Sequence, residues 1–132
     1  MTANEEYESY LEKSRRFYEN SIINQDKKYY DIALFNLQQS MEFLLKALLL
    51  KNSGEYPRSH NLKILMNSLS ELSNENCKNI INTYISKNGV KLSFLSDAYI
   101  SSRYFISSYS EDDVVQLVDM VRHFREDIVD VC

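Results

Sequence analysis

The sequence predicts an all-α, single-domain helical bundle over residues 1–132, and three observations lead there. At 132 residues the chain can enclose one core but cannot hold two ordinary domains side by side. Apolar residues make up 44% and charged residues 26%, the balance of a globular rather than a disordered chain. Only two glycines and one proline are available for tight turns, which favours long helices over a many-stranded sheet.

The first helix is expected from about Asn4 to Asn24. Tyr7, Leu11, Ser14, Tyr18 and Ile22 fall on one stripe with charged residues between them, the amphipathic pattern. The polar run Asn24, Gln25, Asp26, Lys27, Lys28 reads as a turn. A second helix then continues to about Asn52, where Gly54 stops it. On a wheel at about 100° per residue, Ala33, Leu34, Leu37, Met41, Leu44, Leu45 and Leu48 form one apolar arc, the expected core face. The other side is mixed, with Gln39, Glu42 and Lys46 interleaved among Phe35, Phe43 and Leu49. A helix apolar on nearly every side is either central or pressed against a partner.

Residues Gly54 to Arg58 read as a loop, and Ser59 as the cap of a short helix carrying Leu62, Ile64, Leu65 and Leu69. Asn74 is expected to cap a further helix through Ile80, Ile81 and Ile85, terminated by Asn88 and Gly89. Leu92 to Phe105 follows as a separate helix on the strength of Leu95, Ala98, Tyr99 and Ser102. Ser110 and Asp113 resemble a capping box with a shorter acid. They open a last helix in which Val114, Leu117, Val118, Val121, Phe124 and Ile128 recur at helical spacing.

A net charge of −4 gives the whole protein no positive field to draw in duplex nucleic acid, and no sequence-specific DNA contact is expected. The polar, acidic start from Thr2 to Glu6 is unlike a secretory signal. The most apolar stretch, Ile32 to Leu50, is broken by Asn36, Gln38, Gln39, Glu42 and Lys46 and would make a costly membrane span. Cys77 and Cys132 are far apart and lack metal or redox spacing, so free thiols in a reducing cytoplasm are the expectation. Neither a Gly-rich phosphate loop nor a metal-ligand cluster stands out, and no metal or cofactor is expected.

Tyr30, Asp31, Gln38, Gln39, Glu42, Lys46, Ala47, Leu48 and Leu49 follow an order of aromatic and Asp, a Gln-Gln pair, a Glu, and Lys-Ala before leucines. That order resembles the signature helix of the HEPN domain family. Arg58, Ser59, His60, Asn61 and Leu62 are similar to the family's loop between its second and third helices. Ser102, Arg103 and Tyr104 are similar to its Arg-Tyr element before the last helix. The resemblance covers most of residues 4 to 130. It implies an up-and-down bundle of four to five helices, commonly dimeric, from a family that includes partners of small nucleotidyltransferases, RNA-cleaving toxins and nucleotide-binding modules.

The family's ribonucleases carry an Arg followed, after four to six residues, by a His, so that guanidinium and imidazole meet at one phosphate. Here the matching Arg is Arg103, and the three permitted positions hold Ser108, Tyr109 and Ser110. Counting back from His60 gives Ser53, Gly54 and Glu55, and from His123 gives Gln116, Leu117 and Val118. The motif is absent, and the sequence does not argue for an enzyme.

The candidate ligand residues are therefore Arg103 with Tyr104, a cation beside an aromatic platform, and Arg58 with His60 on a loop. Each has a structural alternative: Arg103 bonded to a carboxylate with Tyr104 in the core, and His60 capping or packing its loop. His123, beside Asp119, Glu126 and Asp130, reads as solvated surface. The mixed face of the second helix, Phe35, Gln39, Glu42, Phe43, Lys46 and Leu49, is the candidate interface. Its Glu42 and Lys46 also have the favourable i, i+4 order of a simple helix pair. The resemblance thus implies a noncatalytic HEPN protein, homodimeric, that binds a nucleotide as the helical partner of a minimal nucleotidyltransferase. The alternatives are an RNA-cleaving toxin with an unconventional site and a stand-alone nucleotide-binding dimer.

Overall fold

Helix α1 spans Ala3–Asp26, α2 Tyr30–Ser53, α3 Leu62–Leu72, α4 Glu75–Tyr104 and α5 Glu111–Ile128. The computed structural model describes residues 2–106 and 108–132, and among them there is no strand. The all-α expectation is borne out.

Thr2 begins α1 by accepting from the Glu5 amide at 3.1 Å. A three-residue turn follows, with Lys28 in the left-handed region at φ 63. The chain then doubles back: Asn24 pairs with Asn36, Ser14 with Ser40, Tyr10 with Phe43 and Lys51 with the Tyr7 ring, an antiparallel hairpin. Ser14 and Ser21 are fully buried, and their small side chains let α1 lie close on α2. Gly54, at φ 81, ends α2 with its amide on the Leu50 carbonyl at 2.9 Å.

Helix α2 packs against every other helix. Ala33, Leu34, Leu37, Met41, Leu44, Leu45 and Leu48 are buried as the wheel predicts, each Leu contributing about 1.5–3 kcal/mol. Its near-complete burial is that of a central helix within the chain. Leu49 is accordingly a correction, because it has no exposed surface in the protomer and belongs to the core.

Two further expectations, the α3 cap and the free thiols, are corrected. Asn61, not Ser59, caps α3, its Oδ1 accepting from the Ile64 amide at 3.1 Å, while Ser59 Oγ accepts from the Asn61 amide. The expected division at Asn88 and Gly89 is seen as a kink: Asn88, at φ −123 and ψ 22, leaves the helical range and separates two helical stretches of α4. Cys77 and Cys132 are not free. Their Cα atoms lie 5.2 Å apart and the sulfurs are bonded, because the end of the chain folds back onto the start of α4. Asn74 holds the Val131 carbonyl and Asn52 the Cys132 carbonyl, which fixes that return. The cysteines therefore no longer argue for a reducing compartment. Asn74 does cap α4, and Ser110 with Asp113 forms the complete capping box of α5. No helix of the described residues is long and apolar enough to cross a membrane.

Candidate functional site

The mixed face of α2 is where buried charge collects. Glu42 is 3% exposed, and water cannot solvate its carboxylate, so donors from the chain must. Lys46 Nζ donates to Oε2 at 2.9 Å, while Gln38 Nε2, at 3.1 Å, and His60 Nδ1, at 2.8 Å, share Oε1. Burial pushes the Glu42 carboxyl up, but the bonds from Lys46, Gln38 and His60 outweigh it and hold the group below the ordinary carboxylate range. The burial of this charge is satisfied by the chain's own residues and requires no partner.

His60 reaches Glu42 because its loop is tied down. Gln38 Nε2 donates to the His60 carbonyl at 3.1 Å, and Asn61 starts α3 immediately afterwards. With a carboxylate as acceptor, Nδ1 carries the proton, which leaves Nε2 to accept when the ring is neutral and to donate when it is charged. The ring is half exposed and stacks on Tyr99, with centroids 3.8 Å apart and planes within 15°.

Tyr99 also carries Arg103. One helical turn separates them, and the Arg103 Nε donates to the Tyr99 carbonyl at 2.7 Å. The guanidinium lies 4.4 Å from the Tyr99 ring centre and 4.8 Å from those of Phe35 and Tyr104. Among the described residues it has no carboxylate partner, and its two Nη groups make no hydrogen bond. The expected alternatives for this pair are corrected. Arg103 is not tied to a carboxylate from another helix, and Tyr104 is 70% exposed instead of packed in the core.

An exposed cation wedged among three rings has donors for an anion and faces for a planar group. Imidazole and guanidinium both contact the Tyr99 ring, which brings an Arg and a His to one residue although the Arg-x4-6-His spacing is missing. Arg58 is exposed on the same loop but makes no ion pair or aromatic contact among the described residues.

Away from this corner the aromatic lining continues. Lys46 Nζ sits 5.2 Å over Tyr56, whose hydroxyl meets that of Tyr10 at 2.9 Å. The Tyr56 bond, with burial and the nearby Glu6 charge, pushes the Tyr10 phenol up to about 12. Tyr10 meets Phe43 edge-on, and Phe43 stacks on Phe17. Phe35 and Phe43 of the candidate interface are thus half-buried by intrachain aromatic contacts, and Gln39, Glu42 and Lys46 are almost covered.

Sequence reasoning missed Tyr99 and Gln38 as parts of the site. Tyr99 was legible as the residue one turn before Arg103 on the same face. Its contact with His60, across 39 positions, had no local signal.

A family model described as "HEPN domain" matches residues 7–131, nearly the whole chain. Comparison with curated proteins finds none that matches.

Proposed function

Since the chain belongs to the HEPN family, we propose that it is a noncatalytic member whose Arg103 corner holds the phosphate and base of a nucleotide. In this reading it acts as a homodimer and as the helical partner of a separately encoded minimal nucleotidyltransferase, which supplies the catalytic carboxylates. One observation carries the ligand reading: Arg103 is exposed, has no carboxylate partner among the described residues, and is surrounded by Phe35, Tyr99 and Tyr104. A phosphate takes the Nη donors and a base lies against an exposed ring, while Glu42 keeps the His60 proton on Nδ1 and directs Nε2 outward. The missing Arg-x4-6-His spacing supports a binding role over cleavage.

Titration of the purified protein with ATP tests this. Arg103→Ala should weaken binding at least tenfold while leaving the thermal midpoint unchanged; equal affinity in the variant rejects the site.

A second reading is favoured by one specific contact, the shared Tyr99 ring under His60 and Arg103. A carboxylate-oriented imidazole and a guanidinium carried on one ring are the types of group that metal-independent RNA cleavage uses. Under this reading the pure protein cuts RNA in the presence of a chelator, and His60→Ala and Arg103→Ala each abolish the cut. Intact RNA at enzyme-equivalent concentrations eliminates it.

A further inference from the structure

A well-formed cleft lies away from the Arg103 corner. It lies between α4 and α5, on the stretch of α4 that precedes Tyr99, and encloses about 560 Å³, a size typical of small-molecule sites. The bend at Asn88 forms part of its wall. Its apolar surface comes from Ile80, from Met120, which is almost fully buried, and from the Tyr84 ring, held edge-on against Phe124 at 5.0 Å. That ring is fixed at its other end too, since the Tyr84 hydroxyl donates to Asp127 at 2.9 Å.

The charges decide what such a cleft attracts. Of the two α5 acids that line it, Asp119 is paired with Arg122, with His123 Nδ1 at 3.8 Å, while Asp127 accepts from the neutral Tyr84 hydroxyl and keeps its charge. The α4 wall carries two cations. Lys87 and Lys91 stand one turn apart on the cleft wall, and neither makes an ion pair or lies over a ring among the described residues. Like charges at i, i+4 repel, and nothing described in the chain relieves this pair. With Asp119 paired to Arg122, two unpaired lysines on the α4 wall stand against the one carboxylate, Asp127, that faces a neutral hydroxyl, so the α4 wall is the positive side of the cleft, beside a rigid apolar surface.

The geometry points to a second ligand site, in which the α4–α5 cleft takes a small organic anion with a flat apolar body, the anionic group against Lys87 and Lys91 and the body over Ile80, Met120 and Tyr84. This site shares no residue with the Arg103 corner and stands independently of the function proposed there. His123 lies on the opposite wall.

The test is a titration of the isotope-labelled full chain followed by amide NMR, with 1-naphthyl phosphate as probe and inorganic phosphate and 1-naphthylmethylamine as comparisons. Saturable shifts should concentrate in residues 79–91 and 116–127, with naphthyl phosphate binding at least tenfold more tightly than either comparison. The double variant Lys87→Gln, Lys91→Gln should weaken it at least tenfold at an unchanged thermal midpoint, and Arg103→Ala should leave it unaltered. An equally tight amine removes the charge argument, and equally tight inorganic phosphate removes the apolar one. Shifts confined to the surroundings of Arg103, or none at millimolar probe, overturn the site altogether.

Discussion

Replacing Glu42 by Gln keeps the shape of the side chain and removes one charge, which makes it the sharpest perturbation of the buried polar cluster. In the wild type its two oxygens serve Lys46, Gln38 and His60. The amide offers one acceptor and brings two donors of its own, so either Lys46 or His60 meets an N–H. Breaking a buried pair from one side costs about 3–5 kcal/mol, because the surviving charge stays desolvated. Lys46 keeps 11% of its side chain exposed and His60 half of its own, so both recover some hydration, and the lower end, about 3 kcal/mol, is expected. With a urea slope of about 2 kcal/mol per molar, the unfolding midpoint falls by about 1.5 M. Glu42→Leu combined with Lys46→Met should be close to neutral, since it removes both charges together. A loss below about 1 kcal/mol in Glu42→Gln would refute the claim that this carboxylate satisfies its neighbours. The same group sets an acid limit. Its folded pKa lies below the ordinary 4.5, so its contribution is present above that value and is lost as pH falls through the folded one. Urea midpoints measured from pH 7 down to pH 3 should drop less steeply in Glu42→Gln than in the wild type.

Cys132→Ser, or reduction, opens a link spanning 55 residues and should cost about 4 kcal/mol in chemical unfolding; unchanged stability on reduction contradicts a structural clasp. Lys28→Gly relieves an exposed left-handed residue at φ 63, and after the added chain entropy a gain of about 0.5–1 kcal/mol is expected by thermal melting. A loss instead means that the turn holds Lys28 for another reason. Phe43→Asp should lower the mass of the species seen by sedimentation if the α1–α2 face joins two copies, and an unaltered mass at retained helicity rejects that interface.

The helices were legible because apolar spacing and caps are local. Thr2 aside, the caps of the later helices were visible as Asn74 and Ser110, and the arc of α2 matched its buried face residue by residue. The division of α4 was legible as well, and takes the form of a kink. Asn88 and Gly89 carry a stop signal, but Ile81 and Leu92 are 11 residues apart, three helical turns, so the buried stripe stays in phase across them. Packing of that stripe holds the two stretches nearly in line across the glycine, whose local cost is about 1 kcal/mol, so the expected break is a kink at Asn88. Long-range pairing was not legible. Cys77 with Cys132, His60 with Glu42, and Tyr99 beneath both His60 and Arg103 depend on how the helices return, which no local pattern encodes. Ser59 and Asn61 were equivalent as cap types, and only the Ile64 amide chose between them.

Mild affinity purification of the tagged protein from its native host, with the mass of the intact complex and identification of what remains bound, tests the central claim most directly. The account predicts a stoichiometric small nucleotidyltransferase held by a dimer of this chain. Recovery of the chain as a homodimer alone would contradict the partner role and leave the nucleotide site to a stand-alone binding protein.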